Sequence, residues 1–219
     1  MNVLFILEDG ACTTFYLYLL KDRKKKLLRF APEVRYPAGE TLGQVYARLT
    51  LEEFLSFFGT ATQLSIDHFV VADKGQVIDF LFKSNHEQTI NNPEPFTHLA
   101  TGQRFEKGKQ RVARQQLDQF ISYQRDGDMQ FGIFERQEHV LRLIKNELLS
   151  DKRLTALPKK FNELNKNVQT NMKLPTLLKF FKAYKETEKG KTQRFSAPPK
   201  TDPQNIEWPA AQLADFIKG

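Results

Sequence analysis

The residue types that usually carry chemistry are few and scattered along these 219 residues. The four histidines, His68, His86, His98 and His139, have no metal-like spacing among themselves, and each is expected in a structural or surface role rather than as a ligand. Cys12 is the only cysteine, which excludes an intrachain disulfide and any multi-cysteine metal site. It leaves the redox compartment open. The chain has no phosphate-cradling glycine loop, no His-Glu-x-x-His pair and no Gly-x-Ser-x-Gly elbow. What it does have is positive charge, with 33 Lys and Arg against 26 Asp and Glu and a formal net charge of +7. Phosphate-bearing polymers, acidic lipid surfaces and nucleic acids all suit that charge. Nucleic acid is the least expected of the three, because neither a helix-turn-helix signature nor an aromatic RNA-recognition motif is present.

The elements that must position any site alternate in type. Val3 to Leu7 reads as a core strand, and the apolar stretches Thr13 to Leu20 and Lys26 to Phe30 read as a hairpin. Lys21-Asp22-Arg23-Lys24-Lys25 between them is expected to be its charged, solvated turn. Leu42 to Leu49 is helical by spacing, and Thr50-Leu-Glu-Glu53 is a capping-box pattern that starts a second helix through Phe54, Leu55, Phe57 and Phe58. Gln63 to Asp73 reads as a buried strand feeding a helix with Val77, Ile78, Phe80 and Leu81, capped by Asp73.

Residues 83 to 111 predict loops with short strands. Val112 to Gln124, Gln130 to Leu149, Phe161 to Val168 and Pro175 to Glu186 predict helices, Thr192 to Ala197 a last strand, and Trp208 to Ile217 a terminal helix with Pro209 in its first turn. The length fits one domain over residues 1–219 with a core rich in its 19 Phe. No apolar run approaches the roughly 18 residues of a membrane span, and no basic region precedes an apolar leader at the N-terminus. A chain trimmed of an upstream anchor reads this way, as does a cytosolic one.

Four short motifs carry a resemblance. Ser65-Ile-Asp-His-Phe-Val-Val71 resembles the Ile-Asp-His-Tyr-Val core of the LytR-CpsA-Psr family. Phe105-Glu-Lys-Gly-Lys-Gln110, Gly132-Ile-Phe-Glu-Arg-Gln137 and Asn165-Lys-Asn-Val-Gln-Thr-Asn171 are similar to three further motifs of that family, in the family's order. The resemblance implies an α/β fold, a three-layer α/β/α domain with a mixed central sheet and with Phe69, Val70 and Val71 on an inner strand. It also implies a reaction: transfer of a glycopolymer from a polyprenyl-pyrophosphate carrier to the Gram-positive cell wall. In the family an arginine-lined cleft grips the pyrophosphate, aspartates help hold magnesium, and an apolar tunnel takes the polyprenyl tail.

Most of the charged positions of that cleft differ here. Ala11-Cys12-Thr13-Thr14 stands where the family has Arg-Ser-Asp-Thr, so an arginine and an aspartate are lost, the latter at Thr13. Arg29-Phe30-Ala31-Pro32-Glu33 stands for Ser-Ile-Pro-Arg-Asp, which puts Pro32 at an arginine and keeps a carboxylate as Glu33. Arg125 falls one position late for the family's Arg-x-Arg pair, and of two helix arginines the first is Ile133 while Arg136 survives. Asp9 corresponds to an acidic residue after the first strand and is a weak metal candidate. Arg29, Arg35 and Arg125 are the cations able to replace those lost.

Arg136 is expected to point to the cleft mouth, near Asp9, Glu33 and Arg29, and to pair with a carboxylate. Phe54, Phe57, Phe58, Ile78 and Leu81 are the expected lining of the apolar tunnel.

The implied function is that of a cell-envelope protein that has lost catalysis and binds a polyprenyl-linked glycopolymer precursor or an envelope-assembly partner. The alternatives are an active magnesium-assisted phosphotransferase and, after early descriptions of the family, a transcriptional attenuator. The implied place is the extracellular face of the cytoplasmic membrane, held by a segment absent from this chain, or the cytoplasm if no such segment precedes it.

Overall fold

A computed structural model describes residues 1–21, 24–83, 86–122, 132–148, 157–166, 168–187, 192–198 and 205–219. In chain order the elements are β1 (Asn2–Glu8), β2 (Thr14–Lys21), β3 (Lys24–Phe30), α1 (Leu42–Arg48), α2 (Leu51–Thr62), β4 (His68–Asp73), α3 (Lys74–Phe82), β5 (Gln88–Asn92), β6 (Phe96–Thr97), β7 (Arg104–Phe105), β8 (Gly108–Val112), α4 (Arg114–Ile121), α5 (Gly132–Leu148), α6 (Leu157–Asn165), β9 (Val168–Thr170), α7 (Leu174–Thr187), β10 (Gln193–Ala197) and α8 (Ala210–Lys218). The fold is mixed α/β, and its central sheet has six strands in the order β10-β3-β2-β1-β4-β9. The sheet is mixed in direction: β1–β2 and β2–β3 are antiparallel and β3–β10 is parallel. Phe69, Val70 and Val71 do lie on an inner strand, with Phe69 and Val70 half-buried and Val71 buried.

Where the length suggests one domain, the contacts divide the chain into two compact units, residues 1–71 with 170–219, and residues 72–169. The chain leaves the first unit within β4 and returns within β9.

The first unit covers its sheet on both faces. Side chains alternate across a strand, so Phe15, Leu17 and Leu19 of β2 share one face with Phe30, Leu28 and Lys26 of β3, while Tyr16 and Tyr18 share the other with Arg29 and Leu27. On the first face Phe15 meets Phe54 of α2 at 5.2 Å between ring centroids, and Phe30 meets Phe58 at 5.4 Å. On the second, Tyr18 meets Phe180 and Tyr184 of α7 at 5.8 and 5.9 Å. Strand residues facing helices on both sides read as a continuous apolar run, which is why the sequence of β2 shows no alternation.

Local signals set the helix ends. The Thr50–Glu53 capping box is formed: the Glu53 N–H donates to Thr50 Oγ1 at 3.3 Å and the Thr50 N–H to Glu53 Oε2 at 2.9 Å. Asp73 Oδ1 accepts from the Gln76 N–H at 2.9 Å, capping α3 as expected.

Three expectations are corrected. Lys25 is 5% exposed inside β3, not part of a solvated turn, and its Nζ sits 3.7 Å over the Tyr184 ring. The helix expected to reach Val168 ends at Asn165, and Val168 to Thr170 pair into the sheet instead. Pro209 is the non-helical N-cap of α8, at φ −85 and ψ 57, rather than a first-turn residue.

In the second unit β5 pairs antiparallel with β8 and β6 with β7. Their inner residues Ile90, Phe96, Phe105 and Val112 are buried with Leu117 and Phe120 of α4. The Phe96, Phe105 and Phe120 rings close a triangle of 4.9, 5.6 and 6.0 Å between centroids.

Candidate functional site

The residues that carry the family resemblance turn out to hold backbone. In the first unit, the Phe69 N–H donates to Asn171 Oδ1 at 3.0 Å, Thr170 Oγ1 donates to the Phe69 carbonyl at 2.5 Å, and Asn171 Nδ2 donates to the Asp67 carbonyl at 3.3 Å. Asp67 Oδ2 in turn accepts the Asn2 N–H at 2.8 Å. Two motifs more than a hundred residues apart therefore staple each other and β1 at one corner of the sheet. In the second unit, Asn92 Nδ2 donates to the Phe105 and Glu106 carbonyls at 3.4 and 2.9 Å. Gly108 stands at φ +100, a conformation that favours glycine.

Arg136 and Gln137 act on α4. Arg136 Nε donates to the Phe120 carbonyl at 2.9 Å and Gln137 Nε2 to the Ile121 carbonyl at 2.9 Å. These are last-turn carbonyls, which lack partners within the helix, and a cation there also complements the helix dipole. The guanidinium carbon lies 3.8 Å from the centroid of Phe96. Arg136 is 2% exposed, so where the sequence predicts a residue at an open mouth the structure seats it inside the second unit, under the Phe96 ring. The sequence shows an arginine at 136; its use as a helix cap depends on the Phe120 carbonyl, sixteen residues away.

The remaining expected cleft residues fall as follows. Asp9, Thr13, Arg29, Glu33 and Arg35 belong to the first unit, and Ile133 and Arg136 to the second. Arg125 lies outside the described residues. Asp9 follows β1, half-buried, and its carbonyl accepts the Cys12 N–H at 3.0 Å. Thr13 is 4% exposed and its hydroxyl donates to the Gly10 carbonyl at 3.3 Å. Arg29 is 6% exposed and donates from Nε and Nη2 to Ser196 Oγ on the neighbouring strand at 2.9 and 2.7 Å. Arg35 is exposed and donates from Nη1 to the Gly39 carbonyl at 3.0 Å. Pro32 is buried against α1: its carbonyl accepts the Gly43 N–H at 2.8 Å, and a Cβ on Gly43 would stand 3.1 Å from Pro32 Cβ. Ile133 is 1% exposed, and Glu33 is half-buried beyond β3.

Glu8, which no motif singles out, accepts the Tyr46 hydroxyl at 2.6 Å. Burial, and then the neighbouring Glu8 carboxylate, hold the Tyr46 phenol well above its ordinary range. Among the described residues, no three His, Cys, Asp or Glu stand together as a metal-ligand set. Magnesium uses as few as one or two carboxylates with substrate phosphates, and the resemblance offers Asp9 as a weak candidate.

Of the expected tunnel lining, Phe54 and Phe58 are fully buried ring on ring, at 5.7 Å, and Phe57 is half-buried against Tyr36 at 5.0 Å. Ile78 and Leu81 are buried on α3 of the second unit. A cavity of about 80 Å³ opens in the first unit between the end of α2 and α8, lined by Ala61, Thr62, Leu213, Ala214 and Ile217 among others. It is far smaller than the roughly 300 Å³ at which small-molecule sites begin.

A profile of the LytR_cpsA_psr family matches residues 36–212, and the chain belongs to that family. Family membership associates it with the cell envelope and its glycopolymers. Solved structures agree on the fold. TagV of B. subtilis is 15% identical, with a TM-score of 0.69 over 100% of this chain and 97% of that one. A LytR-Csp2A-Psr enzyme from Actinomyces oris is 16% identical, with a TM-score of 0.67 over 98% of this chain and 89% of that one. A protein described as a transcriptional regulator from Enterococcus faecalis is 14% identical, with a TM-score of 0.63 over 100% and 92%. No curated protein matches the chain in sequence. Among the described residues no helix is long and apolar enough to cross a membrane.

Proposed function

We propose that this chain binds a polyprenyl-linked glycopolymer precursor, or failing that an envelope-assembly partner, at the extracellular face of the cytoplasmic membrane without running the transfer. The observation that supports this reading is the state of three positions where the resemblance expects phosphate-gripping or metal-holding charge. Thr13, Pro32 and Ile133 are neutral and buried, and Thr13 and Pro32 are engaged in local hydrogen bonds. Losing one preorganised electrostatic group typically costs about 3 kcal/mol of transition-state stabilisation, so three losses remove far more than a neighbouring cation restores.

A second reading, a working transferase assisted by magnesium at Asp9, draws on Arg29, a buried guanidinium four residues before Glu33. Titration with a short polyprenyl pyrophosphate, with and without magnesium, separates them. Binding without release of phosphate is the expected result; release of phosphate or transfer of a glycan overturns the first reading in favour of the second.

A further inference from the structure

The second unit carries a cationic platform that no step above uses. Residues 104–114 hold five basic side chains, Arg104, Lys107, Lys109, Arg111 and Arg114, and one acid, Glu106. That net +4 is more than half of the whole chain's +7, gathered in eleven residues.

Strand register decides where the charges go. Thr89 stands opposite Arg111 and Asn91 opposite Lys109, so these four side chains share one face of the β5–β8 ribbon, and all four are exposed. Ile90, Asn92 and Val112 point the other way and are buried. The outer face therefore holds two cations, an amide and a hydroxyl, and no apolar side chain. Lys109 and Arg111 stand two residues apart, about 6.7 Å along an extended strand. Lys107 adds a third exposed cation just before Gly108.

Acids stand beside three of the five cations, Arg104, Arg111 and Arg114. Glu87 comes within 3.8 Å of Arg111, but the two side chains are 56% and 80% exposed, where such a pair contributes little. Arg104 pairs with Glu106 at 2.7 Å, and Arg114 with Asp79. An open depression of about 480 Å³ beside the ribbon is lined by His86, Glu87, Thr89 and Arg111.

We propose that the outer face of the β5–β8 ribbon, through Lys107, Lys109 and Arg111, is a docking surface for a linear glycan chain bearing phosphodiester charges. Closely spaced cations on a polar face match a polymer whose charges repeat along its length, and the exposed amide and hydroxyl of Asn91 and Thr89 suit sugar hydroxyls. A folded protein would ask for an apolar centre, which this face lacks. The surface deepens the proposed function by naming how the polymer end of the precursor is held, apart from its lipid pyrophosphate.

The test uses the full chain and a fluorescent poly(glycerol phosphate) oligomer followed by anisotropy. Three charge contacts predict an affinity loss of roughly twenty- to fortyfold between about 50 and about 200 mM salt. The double variant K109E/R111E should weaken binding at least tenfold, K109R/R111K should retain it, and K21E/K24E, an equal charge change on exposed lysines of the first unit, should weaken it less than twofold. Polyprenyl pyrophosphate binding should be the same in K109E/R111E as in the parent protein, so loss of lipid binding in the parent sinks the proposed function and leaves this surface standing. Equal weakening by both glutamate pairs overturns the surface. So does absence of oligomer binding, or tighter binding to single-stranded RNA or to vesicles of anionic phospholipid.

Discussion

Two basic stretches have opposite fates. At Lys25 and Lys26 the fold takes the charges in: Lys25 lies over Tyr184, and Lys26 Nζ donates to the Phe216 and Ile217 carbonyls at 2.7 and 3.1 Å, closing the C-terminal turn of α8. At residues 104–114 the fold leaves Lys107, Lys109 and Arg111 in solvent. A run of cations is thus not by itself a surface. What separates the two is whether a distant helix end or ring reaches the strand.

The comparison breaks most clearly at Arg136, a buried cation in the unit that also carries the exposed ones. Arg136→Ala should cost about 3 kcal/mol in urea unfolding, because it strips a charged cap from α4 and leaves a hole under Phe96. Arg136→Lys should recover only part of that. Lys26→Ala should cost about 2 kcal/mol by the same measurement, since two charge-assisted bonds are lost at a helix end. Lys25→Ala should cost about 1 kcal/mol, the scale of a partly desolvated cation over a ring. K109E/R111E should change stability by less than about 0.5 kcal/mol while weakening polyanion binding at least tenfold. If the ribbon pair proves as destabilising as Lys26→Ala, the division into buried and presented cations fails.

The smallest effect sharpens the comparison by pH. His139 of α5 accepts the Asn91 N–H of the ribbon at 3.3 Å. Burial holds its imidazole below the ordinary value of 6.5, with the nearby Arg142 charge adding to that direction and the Thr89 carbonyl opposing it. A depressed pKa means the folded chain prefers neutral histidine, so this contribution is present above 6.5 and is lost as pH falls below it. Urea midpoints measured from pH 7.5 down to about 5 should fall, and His139→Gln should flatten that limb. An unchanged limb in the variant would remove His139 as the cause.

Much of the fold could be read from sequence because its signals are local. The Thr50–Glu53 box, the Asp73 cap and the apolar runs of β2 and β3 act within a few residues, and each appears where expected. The buried lysines could not be read: the carbonyls that satisfy Lys26 lie 190 residues away. β9 was hidden for a different reason, as three residues carry no period. For the candidate site, Thr13, Pro32 and Ile133 are neutral residues that sequence alone shows, at positions where the resemblance leads one to expect charge. The packing that closes Pro32 on Gly43, and the use of Arg136 as a cap, are products of chain reversal that no spacing rule encodes.

The first unit is built from both ends of the chain, with residues 72–169 entered through β4 and left through β9. Its edge strand β10 must find β3 across some 160 intervening residues, pairing Phe195 with Leu28. Closing so long a loop is slow, and synthesis runs from the N-terminus. On the ribosome, β2 and β3 must therefore wait with an unpaired edge and an uncovered Tyr16–Tyr18 face until α7 and β10 emerge. Residues 72–169, whose contacts are nearer in sequence, can fold first and keep the nascent chain compact during that delay.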